Sequence, residues 1–346
     1  MGVQISEIVP KKDTSFEALR GRKVSLDAFN ALYQFLAIIR QYDGTLLMDS
    51  QGNVTSHLSG LFYKTIKLVE AGVKPVYVFD GEPPKLKRRT IEERREVRRK
   101  AEELWEEKRR AGKIEEARVA AQAAIKLTGK MVEESKDLLG VMGVPWVQAP
   151  SEGEAQAAFM CSQGSVWAAG SQDFDSLLFG APRLLRNLTI SGRRKVPRKN
   201  AYTETVPELI DLGEALEALG IDRRKLVWLG LLVGTDFNDK VEGIGPKKAL
   251  KLVQEHDSFE SITTALKEDN KSVPFDYLEV EKVFLEIPTT KDYELKWNPP
   301  NRSKVVEFLC EKHDFSQDRV ENATTALEKA LGGALGQSRL ENWFKK

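Results

Sequence analysis

Lys74-Pro75-Val76-Tyr77-Val78-Phe79-Asp80 sets an unbroken apolar run between a lysine and an acid. Its β-branched and aromatic side chains follow one another without polar alternation, which reads as a strand covered on both faces. The same grammar recurs upstream in Lys23-Val24-Ser25-Leu26-Asp27, and downstream from Val166 to Gly170, which runs on to Asp173. Ala28 to Tyr42 carries the apolar face of a helix between two of these strands. Strands that alternate with helices predict an α/β fold: a mixed, mainly parallel central sheet with helices on both faces. Such sheets bind ligands beyond the carboxyl ends of their strands. Any one aspartate there could simply cap the next helix. Three strands delivering an aspartate to the same edge point to a shared site.

Composition narrows the class of protein. The chain has 346 residues with 53 basic and 52 acidic side chains, so bulk charge does not announce a polyanionic partner. Only two cysteines, Cys161 and Cys310, are present, which is no disulfide framework and suits a reducing interior. The three histidines, His57, His256 and His313, have no zinc-site spacing. No apolar run reaches membrane-spanning length and no secretion signal is read, so the expected location is intracellular with no membrane partner. Local charge is more telling than the total. Lys85 to Lys100 holds nine basic and three acidic residues, and Arg193-Arg194-Lys195 with Arg198-Lys199 forms a second basic run.

The strand pattern breaks over residues 81–130. Ile91 to Arg110 is almost entirely Glu, Arg and Lys, too polar for a core helix, and Ala117 to Leu127 is alanine-rich; Gly112 is expected to separate the two helices. On charge alone the first is a solvated helix held by ion pairs four residues apart. Residues 222–254 read as helix, glycine-rich turn, helix. In Gly243-Ile244-Gly245-Pro246-Lys247-Lys248 two glycines free the backbone to approach a ligand, and Pro246 suits a first helical turn. This fits a phosphate cradle or an ordinary tight hairpin. Residues 331–346 read as a flexible glycine-rich lead and a short amphipathic plug, leaving 1–330 as one domain. The densest acidic motifs are Ser151-Glu152-Gly153-Glu154, read as a helix start with Ser151 as N-cap, and Gln172-Asp173-Phe174-Asp175.

Taken together these motifs resemble the flap endonucleases, particularly archaeal ones, essentially from end to end. The resemblance lies in Ser25–Ala28, Val78–Gly81 with Pro83-Pro84, Ala149–Ala155, Ser171–Leu178, Val233–Asp236 and Gly243–Lys247. It implies a helical arch at 81–130 and a helix–two-turn–helix motif at 222–254. It implies seven metal-site carboxylates, Asp27, Asp80, Glu152, Glu154, Asp173, Asp175 and Asp236, holding two Mg²⁺ ions, with Mn²⁺ as a substitute. Lys87 and Arg94 fall at the catalytic base of the arch, and Tyr33 on an aromatic position that stacks on a base. Gly234, Gly243, Gly245, Lys247 and Lys248, with Glu152 and Asp236, are the implied DNA contacts, with K⁺ at the glycine-rich turn. Gln337, Leu340, Trp343 and Phe344 match a box that docks on the DNA sliding clamp. The implied protein is a monomer that removes 5′ flaps from branched DNA in replication and repair, with accompanying 5′-3′ exonuclease activity. Phe174 and Phe237 stand where tyrosines are often found.

The chemistry suits these residue types. Hydrolysis of a phosphodiester builds charge on the attacking and leaving oxygens, and two divalent ions about 4 Å apart stabilise both ends of an in-line displacement. Seven carboxylates overcompensate two such ions, and Lys87 and Arg94 are expected to offset the excess. Seven residues apart, they share a helix face two turns apart. Two alternatives remain: a related nuclease that acts on bubbles or gaps, and a non-catalytic DNA- or clamp-binding adaptor, which needs no acidic cluster.

Overall fold

A computed structural model describes residues 2–189, 192–195 and 202–343, with residues 192–195, 202–204 and 333–343 as backbone alone. The chain runs through β1 (Lys12–Asp13), β2 (Lys23–Asp27), α1 (Ala28–Ile38), α2 (Ser56–Glu70) and β3 (Lys74–Phe79). It continues through α3 (Arg88–Arg110), α4 (Ile114–Ala123), α5 (Gly129–Met142), β4 (Trp146–Gln148), α6 (Gly153–Ser162), β5 (Ala168–Gly170) and α7 (Asp175–Leu178). Then follow β6 (Arg183–Arg186), β7 (Gly192–Lys195), β8 (Tyr202–Thr205), β9 (Glu208–Asp211), α8 (Leu212–Leu219) and α9 (Arg223–Val233). The remainder is helical: α10 (Pro246–Glu255), α11 (Phe259–Glu268), α12 (Tyr277–Glu286), α13 (Arg302–Val306) and α14 (Gln317–Trp343).

Seven strands form the central sheet in the order β1-β9-β6-β5-β2-β3-β4. The β6-β5-β2-β3-β4 block is parallel and β9 joins it antiparallel, so the sheet is mixed and mainly parallel as the sequence predicts. β3 shows why its sequence has no polar alternation. Tyr77 and Phe79 pack with α1, α2 and α5 on one face, while Val76 and Val78 pack with Ala157, Ala158 and Met160 of α6 on the other. A further apolar core gathers α7 to α12 with Val3, Ile5 and Val9. β7 and β8 form a separate antiparallel pair.

Several boundaries differ from the sequence reading. The first helix ends at Ile38, not Tyr42, because the β-branched pair Ile38-Ile39 leads into a turn at Asp43-Gly44, where Gly44 has φ +87° and Asp43 accepts the Thr45 N–H at 2.9 Å. Ser151 is not an N-cap: Glu152 takes that position, and the Ser151 hydroxyl donates to Glu82 O at 2.9 Å. Beyond Leu331 the backbone stays helical to Trp343 where a flexible lead was expected, since extending an established helix costs little per residue. Of the clamp box, Gln337, Leu340 and Trp343 lie on this backbone-only stretch and Phe344 lies outside the described residues.

Residues 81–130 are largely helical. α3 has no buried residue, and Arg89–Glu93, Arg99–Glu103 and Arg110–Glu106 pair four residues apart along it. Gly112 marks the break with φ +70°. Among the described residues no helix is long and apolar enough to cross a membrane.

Candidate active site

Each acid reaches the carboxyl edge of the sheet by its own local route. Asp27 ends β2 and caps α1, its Oδ1 accepting the Asn30 N–H at 2.9 Å. Asp80 follows β3 and accepts the Gly153 N–H at 2.7 Å. That approach needs a bare residue, because a Cβ at position 153 would lie 2.6 Å from Asp80 Oδ1. Glu154, in the first turn of α6, accepts from the Ser171 hydroxyl and, at 3.4 Å, from that of Ser176. Asp173 accepts from Asn30 Nδ2 at 3.2 Å, and Asp175 opens α7 while accepting the Val3 N–H at 2.7 Å. Asp236 follows α9, and its carbonyl accepts from the Thr90 hydroxyl at 2.8 Å.

The cations sit on the acids. Lys87 pairs with Glu152 and stands 3.9 Å from Asp236 Oδ2, while Arg94 Nη2 meets Asp236 Oδ1 at 2.5 Å. The start of α3 is thereby fastened to the acid cluster, although Lys87 lies in the turn that caps α3 and not on the helix face that the spacing predicts.

Crowding shows in the proton affinities. Burial, then repulsion from Asp80 and Asp173, pushes the Asp27 carboxyl up to about 8. Burial, then the charges of Asp236 and Asp173, pushes Asp175 up to about 7 against the Val3 amide, which pulls it down. Burial raises Asp80 and Glu152, and burial with Asp175, Asp173 and Asp27 nearby raises Glu154 well above the usual range. Burial works against the Lys87 ammonium, but Glu152 and Asp80 override it and hold its proton more tightly than usual. Seven carboxylates thus gather beside two cations, burial and mutual repulsion work against their ionisation, and their donors are hard oxygens. Among the described residues no group of three or more His, Cys, Asp or Glu side chains is arranged to hold a metal ion. Glu152 and Asp236 are engaged in ion pairs with Lys87 and Arg94.

The other expected residues are placed less uniformly. Gly243 takes φ +71° and Gly245 caps α10 with open space where a Cβ would stand, so backbone is exposed at this turn. Gly234, φ +96°, packs against Lys240, where a Cβ would lie 2.9 Å from its backbone nitrogen. The two lysines diverge: Lys248 donates to Gly243 O at 3.4 Å, while Lys247 pairs with Glu7 at 3.7 Å. Tyr33 sits half-buried on α1 under the guanidinium of Arg98, 5.2 Å from its ring centre. Phe174 is covered by the Arg186 guanidinium at 4.5 Å, and Phe237 packs edge-on to Phe179 and Phe284, so both rings are buried supports of the site. Sequence reading missed Asn30, Ser171 and Val3, each of which holds an acid through a contact with no local signature.

Residues 1–101 match the family model of the XPG N-terminal domain and residues 143–236 that of the XPG I-region. Flap endonuclease 1 of Thermococcus onnurineus is 53% identical over 345 residues, covering 99% of each chain. That of Caldivirga maquilingensis is 55% identical over 351 residues, covering 99% of this chain and 100% of its own. Among solved structures, flap endonuclease-1 from Methanococcus jannaschii is 41% identical with a TM-score of 0.75, over 96% of this chain and 99% of its own. The catalytic core of Rad2, solved in complex with DNA substrate, matches at a TM-score of 0.70 over 94% of this chain and 100% of its own, and at 24% identity it shares the fold. With about half or more of its residues shared from end to end with such relatives, the chain belongs to the flap endonuclease 1 family.

Proposed function

We propose that the chain cuts 5′ flaps from branched DNA by divalent-metal-dependent hydrolysis, with Asp27, Asp80, Glu152, Glu154, Asp173, Asp175 and Asp236 as the metal-site carboxylates. The observation that carries this reading is the gathering of these acids around Lys87 and Arg94 at the carboxyl edge of the sheet, in a chain 53% identical over 99% of its length to a flap endonuclease 1. Buried carboxylates in mutual repulsion gain most from a small, hard cation, and Mg²⁺, or Mn²⁺ in its place, fits an all-oxygen donor set. Bound there, two such ions supply charge neutralisation at both ends of the displacement.

The protein's own groups do the rest. Lys87 and Arg94 are salt-bridged to Glu152 and Asp236, so an arriving phosphate finds two cations fixed at the foot of α3. The bare backbone at Gly243 and Gly245, at the N-terminus of α10, suits a duplex phosphate with K⁺ beside it. Phosphate contacts carry no base sequence, so selection falls to the shape of the branch. Gln337, Leu340, Trp343 and Phe344 remain the proposed clamp box, residues 1–330 one nuclease domain, the protein a monomer and its location intracellular.

The test is to map the cut on an end-labelled double-flap substrate in Mg²⁺ and in chelator, beside bubble and gapped DNA. Cleavage at the flap junction in Mg²⁺ alone is expected. Asp80→Asn and Asp173→Asn should each abolish it while DNA binding survives. Undiminished cleavage by either variant at saturating Mg²⁺ removes the metal assignment, and a preference for bubbles or gaps removes the flap.

A further inference from the structure

We infer that the segment Gly2–Val3 is a positioning element for the Asp173 and Asp175 carboxylates: the Val3 amide holds one, and the bare α-carbon of Gly2 makes room for both. The inference rests on the reading that these acids hold divalent ions.

Three observations carry it. First, Val3 N–H donates to Asp175 Oδ1 at 2.7 Å across 172 positions of sequence, inside the protein. Asp175 is 4% exposed, and a backbone amide is a donor that cannot rotate away from it. Second, a Cβ on Gly2 would lie 2.7 Å from Asp173 Cβ, 2.8 Å from Asp175 Oδ1 and 2.9 Å from Asp175 Cγ. These distances are too short for any side chain, so a methyl at position 2 must push the segment back or the acids aside. Third, the segment cannot easily back away. Val3 and Ile5 are 1% and 0% exposed and belong to the core that includes Phe174, Leu177 and Leu178, the residues flanking Asp175.

The acids are constrained as well. Asp173 is tied at Oδ2 by Asn30 and at its own N–H by Ser171 Oγ at 3.1 Å. A methyl at Gly2 is therefore expected to appear as a displaced carboxylate pair rather than as a loosened fold. Divalent-ion sites respond steeply to such shifts, because groups that orient the ligands matter nearly as much as the ligands.

The experiment measures Mn²⁺ binding by the loss of the free-ion electron paramagnetic resonance signal, together with the melting temperature. It uses the full chain and its Gly2→Ala, Val3→Ala and Asp175→Asn variants. Gly2→Ala should weaken Mn²⁺ binding by roughly tenfold with little change in melting temperature. Val3→Ala keeps the amide and loses core packing, so it should melt several degrees lower yet bind Mn²⁺ like the parent. Asp175→Asn should weaken binding, which checks the underlying assignment. A folded Gly2→Ala variant with parental Mn²⁺ affinity, beside an impaired Asp175→Asn, overturns the positioning role alone. An unimpaired Asp175→Asn overturns the metal assignment and the positioning role with it. If Gly2→Ala does not fold, Val3→Ala decides: a loss of Mn²⁺ affinity in step with its loss of stability overturns the inference.

Discussion

Asp27 shows how one side chain serves both fold and chemistry. It caps α1 through Asn30, and it also stands in the acid cluster, where burial and neighbouring charge push it to about 8 from an ordinary 3.8. Its folded-state affinity for a proton exceeds its unfolded one. In metal-free protein its contribution to stability is thus full below pH 3.8 and is lost as pH rises towards 8, and Asp175 at about 7 acts in the same direction. Asparagine caps a helix as well as aspartate does and carries no charge. Asp27→Asn should therefore raise the melting temperature of chelator-treated protein at pH 8, by about 4 °C, and by much less at pH 5. Calorimetry at both pH values checks this. An equal gain at the two would mean that charge repulsion is not the cause. The site is in this sense built at the expense of stability, and the places of Asp27, Asp80 and Asp173 at one sheet edge were legible because each lies at or just past the end of a strand. The struts behind them were not. Asn30, Ser171 and Val3 are ordinary residues whose importance comes from neighbours brought up by the fold.

Elements divide in the same way. β2 and β3 were read to within a residue because strands buried on both faces must be continuously apolar; α3 was legible as a solvated helix from its composition, though it begins at Arg88 and not Ile91. β1, of two residues, and the edge pairing of β9 have too few side chains to carry a period. The start of α6 was misplaced by one residue because Ser151 and Glu152 are both plausible caps. The choice is made by Glu82 O, which takes the Ser151 hydroxyl. The helical hairpin has a less visible anchor. Glu281 of α12, 5% exposed, accepts from Trp228 Nε1 at 2.6 Å and from Arg224 at 2.8 and 3.1 Å, binding α12 to α9. Glu281→Leu would leave the buried indole N–H without its acceptor. It should cost about 2 kcal/mol, of which the half-exposed Arg224 pair contributes little. Urea unfolding gives the measurement, and a cost near zero would mean that the indole finds another acceptor or that packing compensates.

At the scale of the whole molecule, sequence-distant pieces meet at every critical place. The acids come from positions 27 to 236, β1 near the start pairs with β9 at Glu208-Leu209, and α14 packs on α2. Net charge says almost nothing about the site, because 53 basic and 52 acidic side chains cancel over the whole chain while the acids outnumber the cations at the site itself. The order β1-β9-β6-β5-β2-β3-β4 also has a consequence in time. A chain emerging from the ribosome presents Asp27, Asp80 and the acids up to Asp175 early. Yet β9, the second partner of β6, is made after these acids, and Asp236 with the helix before it arrives later still. Non-local pairings of this kind form slowly and late. The acid set is therefore expected to stay incomplete until about two-thirds of the chain has been made. Ribosome-stalled chains ending before Asp236 should release no product from a labelled flap, whereas chains stalled after the helical hairpin has cleared the ribosome should begin to cut; cutting by the shorter chains would show that the late acid and its helix are dispensable.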